Sequence, residues 1–241
     1  IAIAGKYASF EDAYLSVVEA LRHAGAELGI KPKIKWICTD EFDGGGKDKE
    51  LERILKGVDA VIVPGGFGKR GTEGKIKVIK YCRENNVPFL GLCLGFQLAI
   101  IEFARNVCNL KEANSTEFDP KTRYPVIDLM EEQKKIAQLG GTMRLGAQKA
   151  VLKEGSLVHK LYGKKVVWER HRHRYEVNLR YVEILEKNGL VFSGKSEDGL
   201  LMEFLELPKH KFFVATQAHP EFKSRPNNPA PLFLGLIKSC I

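Results

Sequence analysis

Runs rich in Val and Ile alternate with stretches of helical period along the first half of the chain, and this alternation constrains the fold more than any other feature. "IAIAG" (1–5) precedes "FEDAYLSVVEALRHAGAELG" (10–29), and "KIKWIC" (33–38) follows. "VDAVIVPGG" (58–66) precedes "GTEGKIKVIKYCREN" (71–85), and "VPFLGLC" (87–93) precedes "LGFQLAIIEFARNV" (94–107). Short apolar runs, each leading into an amphipathic helix, predict βαβ units whose strands lie parallel and are covered on both faces. In the first helix Tyr14, Val17, Val18 and Leu21 recur at three- and four-residue steps, which sets one apolar stripe against the sheet. Gly25 and Gly29 are its candidate stop signals.

From about residue 120 the pattern changes to strands joined by turns: "TRYPVIDL", "GGTMRLGAQKAVLK", "KKVVWERHRHRYEVN", "GLVFSGKSEDGLLMEFLEL" and "KFFVATQAHPEF". The expected fold is therefore α/β, with a mostly parallel central sheet flanked by helices and an additional smaller antiparallel β layer. "PAPLFLGLIKSCI" should be a closing helix, and "DGGGKDKE" (43–50) reads as a flexible loop. With 241 residues, 44% of them hydrophobic, the chain suits one large domain over residues 1–241. No window approaches the roughly 18 apolar residues of a membrane helix, and the start lacks the basic segment and cleavage site of a signal peptide, so a soluble, cytoplasmic chain without membrane contact is expected. It begins at Ile1 inside an apparent strand, which suggests a piece of something longer.

The net charge of +8 favours anionic partners in general, but basic residues are not interleaved with aromatics as on a nucleic-acid stacking surface, so no nucleic-acid partner is expected. Cys38, Cys82, Cys93, Cys108 and Cys240 show no C-x-x-C spacing and no His pairs at zinc-site intervals, which argues against a metal site or a disulfide framework.

Cys93 alone has a mechanical frame. "GLCLG" (91–95) is the cysteine form of the G-x-S-x-G elbow, in which a strained strand-to-helix turn lifts a nucleophile to the carboxyl edge of the sheet. A side chain at either glycine would crowd that turn, and the helix N-terminus that follows favours thiolate over thiol. The nucleophile needs a base. Of six histidines, His219 ends the apolar run "FFVATQA", which puts it on the same sheet edge; Glu221, two residues on, is placed to orient the imidazole. Acyl chemistry also needs oxyanion donors, and the candidates are the amide of Leu94 and those of Gly65 or Gly66 in the loop "PGGFGKRG".

Together these residues resemble the class I glutamine amidotransferases. The longer strings "PGGFGKRG", "PFLGLCLGFQLAIIEFARN", "NSTEF", "LGGTMRLG", "ERHRHRYEVN" and "HPEFKSRP" are similar to the glutaminase domains of the CTP synthases, from one end of the chain to the other. The resemblance implies that Cys93 attacks the carboxamide of L-glutamine, that His219 shuttles protons and that Glu221 holds it. It implies substrate contacts from Gly66, Leu94, Gly95, Phe96, Gln97, Glu117, Arg174 and Tyr175, with Glu117 and Gln97 suited to the α-ammonium and Arg174 to the α-carboxylate. Strand alternation would put Arg170, Arg172 and Arg174 on one face and His171 and His173 on the other; some of these are expected to form only a basic surface stripe. No cofactor is implied for glutamine hydrolysis itself. A full-length enzyme of this kind implies an N-terminal synthetase domain that aminates UTP to CTP, with ATP and Mg, activation by GTP, and homo-oligomers. No P-loop occurs here, so the ATP step is not expected of these residues. A γ-glutamyl cysteine hydrolase and a non-catalytic regulatory module of the same fold are the alternatives.

Overall fold

The computed structural model describes residues 1–8, 11–129 and 143–241. Leu139–Thr142 of the "LGGTMRLG" string and Phe10 at the start of the first helical stretch lie outside the described residues. The elements are β1 (Ala2–Gly5), α1 (Leu15–Glu27), β2 (Lys35–Cys38), α2 (Asp48–Leu55), β3 (Val61–Val63), α3 (Thr72–Glu84), β4 (Phe89–Leu92) and α4 (Leu94–Asn106). They continue with β5 (Ala113–Ser115), β6 (Tyr124–Asp128), β7 (Arg144–Leu152), α5 (Leu157–Tyr162), β8 (Val166–His173) and β9 (Glu176–Val177). The last are α6 (Val182–Lys187), β10 (Val191–Lys195), β11 (Met202–Glu206), β12 (Phe213–Thr216) and α7 (Pro231–Lys238).

One sheet runs in the order β2-β1-β3-β4-β12-β11-β10-β7-β8. Its first five strands are parallel, and from β11 onward each neighbour is antiparallel. The α/β expectation holds, with one refinement: most antiparallel strands of the second half extend the central sheet. The separate small sheet is β5-β6-β9, with β6 and β9 antiparallel and β5 and β6 parallel. Strand alternation divides the core between the two faces. Ala2, Ala4, Val61 and Val63 pack on one side with α3 and α4, while Ile3, Ile62, Leu90 and Leu92 pack on the other with α1 and α7.

Two local expectations are corrected. Gly25 does not stop α1; it lies inside the helix, pressed so close to the next segment that a Cβ would stand 2.5 Å from the Ile30 carbonyl oxygen. Gly29, at φ 65°, is the terminator. The stretch 43–50 is not all loop: α2 opens at Asp48, and the Asp43 carboxylate accepts from the Gly71 and Gly74 amides at 2.6 and 3.0 Å, tying down the start of α3.

Candidate active site

Three neighbouring strands deliver the site. β3, β4 and β12 are adjacent and parallel, and beyond their carboxyl ends come the Gly65–Gly66 loop, Cys93 and His219. Open parallel sheets gather their ligands at that edge. Cys93, between β4 and α4, has φ 51° and ψ −98°. L-residues rarely adopt such angles, at a cost on the order of 1–3 kcal/mol. Both flanking glycines are required by space: a Cβ on Gly91 would lie 2.9 Å from the Ala215 side chain, and one on Gly95 would lie 2.1 Å from the Val63 carbonyl oxygen. The Cys93 amide donates to the Thr216 carbonyl at 2.8 Å, so β12 pins the elbow.

The sulfur is buried, 3.8 Å from Gln217 Nε2 and 3.8 Å from the Arg172 carbonyl oxygen. His219 Nδ1 lies 2.7 Å from Glu221 Oε1, which fixes the imidazole by its far nitrogen. Phe222 stacks on the ring at 5.1 Å between centroids. Gly65 packs against the ring too, where a Cβ would come 2.8 Å from His219 Cε1 and 3.5 Å from Cys93 Cβ. Glycine at 65 is thus what leaves room for the histidine beside the sulfur. Burial opposes a charge on this ring, but hydrogen bonds to the Cys93 sulfur and the Glu221 carboxylate, with their negative charge, outweigh it and raise His219 to about 10. The imidazole therefore holds its proton through neutral pH, facing the sulfur.

A cavity of about 410 Å³ opens over Cys93. Gly66, Gln97, Glu117, Arg174 and Tyr175, all expected at the site, line it. Its walls carry opposite charge. Glu117 Oε1 accepts from the Gly68 amide at 2.7 Å; burial raises its carboxyl, against the opposing pull of that amide and the charges of Lys6 and Arg174. Gln97 Nε2 donates to the Tyr175 carbonyl at 2.9 Å and to Gln217 Oε1 at 3.1 Å, so only its Oε1 is left to face a ligand, as an acceptor. Leu94 opens α4 and its amide has no carbonyl one turn back to donate to.

Leu94, Gly95 and Phe96 do not line the cavity. The Phe96 side chain is wholly buried in the core, and Gly95 is pressed against β3, so any contact from these residues comes through the backbone. Phe67, Met143, Arg172 and His173 complete the wall and Gln217 lies beneath it, none of them expected from the sequence. For Gln217 a signal existed, two residues before His219 on the same strand end. A larger cleft of about 620 Å³ between Tyr162, Trp168 and Pro229 holds neither the sulfur nor the histidine.

The alternation along β8 is as expected: Arg170 and Arg172 are exposed, His171 and His173 buried. The histidines are not part of a basic surface stripe. His171 Nε2 lies 2.9 Å from Glu203 Oε2, and Arg144 donates to Glu203 at 2.8 Å and to Glu176 at 2.9 Å. Burial and the Arg144 charge hold both rings neutral, His171 at about 3 and His173 well below its ordinary value. Among the described residues no group of three or more His, Cys, Asp or Glu could hold a metal ion. No helix among them is long and apolar enough to cross a membrane.

The family model for Glutamine amidotransferase class-I matches residues 9–239. The chain belongs to this family. Among amidotransferases it is similar to CTP synthase of Saccharolobus solfataricus, 61% identical over 99% of this chain and 44% of that one. It is 59% identical to CTP synthase of Methanocaldococcus jannaschii, over 100% of this chain and 45% of that one. The chain thus spans under half the length of these relatives. The solved glutaminase domain of Trypanosoma brucei CTPS, with bound acivicin, superposes with a TM-score of 0.93 at 37% identity, covering 99% of this chain and 92% of that one.

Proposed function

We propose that this site hydrolyses the side-chain amide of L-glutamine through a thioester on Cys93 and serves as the ammonia source of a CTP synthase. The observation that carries the reading is the meeting of Cys93, the His219–Glu221 pair and a charge-divided cavity at one sheet edge. Glu117 and Gln97 Oε1 receive the α-ammonium of glutamine and Arg174 its α-carboxylate, which sets the carboxamide carbon over the sulfur. The sulfur attacks that carbon, and the carbonyl oxygen takes the negative charge against the amides of Gly66 and Leu94. Collapse expels ammonia with the proton held by His219. His219 then takes a proton from water, which attacks the glutamyl thioester, releases glutamate and restores the sulfur.

The relatives' name and extent support the larger role. The ammonia would aminate UTP to CTP in a synthetase portion of the same polypeptide, with ATP and Mg there and GTP as activator, in a cytoplasmic homo-oligomer. Incubation with glutamine and with acivicin tests the core of the reading. The expected result is stoichiometric release of glutamate and ammonia and an acivicin adduct on the Cys93 peptide by mass spectrometry. Absence of both turnover and adduct removes the reading, and preferential turnover of γ-glutamyl peptides replaces it with a peptide hydrolase.

Two further outcomes follow from the geometry. Because the proton on His219 is the one given to ammonia, activity should fall as pH rises through about 10. The stability contributed by this ring is fully present below its ordinary value near ~6.5 and is lost over the same rise. A pH–rate profile flat to pH 11 contradicts the assignment. Glu117→Gln keeps the acceptor for Gly68 but loses the charge facing the α-ammonium, so KM for glutamine should rise about tenfold, with kcat within a few-fold. Steady-state kinetics decide it.

A further inference from the structure

Lys75 is the one lysine or arginine among the described residues that is wholly buried. Its Nζ has no hydrogen-bond partner. An unpaired cation in a protein interior is expensive and demands a reason. The packing that buries it is tight: Gly74, beside it in the first turn of α3, lies so near Thr39 that a Cβ would stand 2.0 Å from the Thr39 carbonyl oxygen. From that turn the side chain reaches the underside of the oxyanion loop, where a Cβ on Gly66 would lie 3.7 Å from Lys75 Nζ and 3.4 Å from Leu94 Cδ2. The Gly66 loop and the Leu94 side chain at the start of α4 therefore border the same small space as the ammonium.

The nearby acids bond other groups, although the buried Asp40 Oδ1 has no hydrogen-bond partner. Asp40 Oδ2 is held by Arg70 at 2.6 Å, and Asp43 is held by the Gly71 and Gly74 amides at 2.6 and 3.0 Å. Lys6 donates to the Phe67 carbonyl of the loop. Lys75 thus makes no direct ion pair in the free site, where Asp40, Cys93 and Asp43 act on it only through space, and its ammonium is left to serve the negative charge the reaction creates.

We propose that Lys75 is a positioning residue whose buried ammonium, delivered beneath the Gly65–Gly66 loop, stabilises the negative charge as it passes from the Cys93 sulfur to the substrate carbonyl oxygen. This rests on the glutaminase reading of the site. The ammonium touches neither substrate nor sulfur; it acts through the loop peptide and through the low-dielectric space between them, where a fixed charge counts for more than in water. Burial, followed by repulsion from Lys6, lowers Lys75 to about 8, while the charges of Asp40, Cys93 and Asp43 hold its proton on. The charge is therefore present at neutral pH and is lost just above it.

The test is Lys75→Met in the full polypeptide, since methionine fills the same space without charge. At pH 7 kcat for glutamine should fall about tenfold, ~1.4 kcal/mol of transition-state stabilisation, with KM within about twofold. The deficit should close as pH rises from 8 to 9.5, because the wild type then loses the same charge; a purely structural role would leave the ratio constant. Alkylation of Cys93 by iodoacetamide, followed on its peptide by mass spectrometry, should slow in the variant at pH 7 and converge over the same range. The alkylation arm does not need glutamine turnover, so it separates failure of this inference from failure of the glutaminase reading. Unchanged kcat and alkylation at pH 7, or a deficit independent of pH, overturns the proposal. If the variant does not fold, the wild-type profile decides alone: a partial fall in kcat centred near pH 8 supports the proposal, and a flat profile from 7 to 9.5 overturns it.

Discussion

Cys93→Gly and Cys93→Ala both lose glutamine hydrolysis by at least about four orders of magnitude, and of the two the glycine variant is the more stable. The first half follows from chemistry: without the sulfur there is no acyl acceptor, and His219 and Glu221 have nothing to activate. The second half follows from the backbone. At φ 51° and ψ −98° any Cβ is strained, and the native residue carries that strain to hold its sulfur at the apex between β4 and α4. Alanine keeps the strain and loses the function; glycine loses both. The two variants remove the same sulfur and differ by one methyl group, so their difference in stability isolates the backbone. It should favour glycine by about 1 kcal/mol or more. Glutamate release and denaturant midpoints measure the two halves. Residual turnover within a hundredfold of wild type would end the nucleophile assignment, and an alanine variant as stable as the glycine one would show that the elbow carries no strain.

The parts of this site that could be read from the sequence are those whose cause is local. Gly91, Cys93 and Gly95 announce a turn because the three fall within five residues, although the atoms that demand the glycines, Ala215 Cβ and the Val63 carbonyl, lie on neighbouring strands. His219 and Glu221 announce a pair because their reach is two residues. β1, β3 and β4 were legible from alternation because a long helical stretch follows each of them, whereas β2 runs into the segment read as loop before α2 opens at Asp48. What the sequence conceals is adjacency across the sheet. Nothing in "FFVATQA" says that β12 inserts between β4 and β11, yet that insertion brings the histidine to the sulfur. Gln217, which touches the sulfur, and Phe67, whose ring lies 5.8 Å from the Arg172 guanidinium, depend on the same non-local placement. Lys75 looks like an ordinary charge on an amphipathic helix, and only the packed structure shows that it is wholly buried. The short helices α5 and α6 were missed because six residues show too little period. Their signals lie in their caps, as where Ser156 accepts from the His159 amide at 3.1 Å.

The largest loss of stability is expected from Arg144→Met. The guanidinium joins two carboxylates that are almost completely withdrawn from water, and one of them, Glu203, also holds His171. Removing one partner of such a cluster leaves uncompensated buried charge and costs about 3–5 kcal/mol. The cost must depend on pH. Burial already raises Glu176 to about 8 and raises Glu203, with the Arg144 charge opposing both shifts. Without that charge both rise further. An acid raised on folding contributes stability that is complete below its ordinary value and lost as pH rises towards the folded one. The deficit of Arg144→Met should therefore be smaller near pH 5 than at pH 8 through Glu203, and Glu176, which in the wild type still holds its proton below about 8, should add to it only above that value. Chemical denaturation at the two values measures it, and a deficit that is the same at both would mean that the cluster contributes packing and not charge. The consequence reaches the site because the His219 amide donates to the Arg170 carbonyl at 2.7 Å and Arg172 presents its carbonyl to the sulfur. Both sit on the strand whose inward histidines the cluster anchors. At pH 8 Arg144→Met should lose glutamine turnover together with stability, and at pH 5 it should recover part of both relative to wild type.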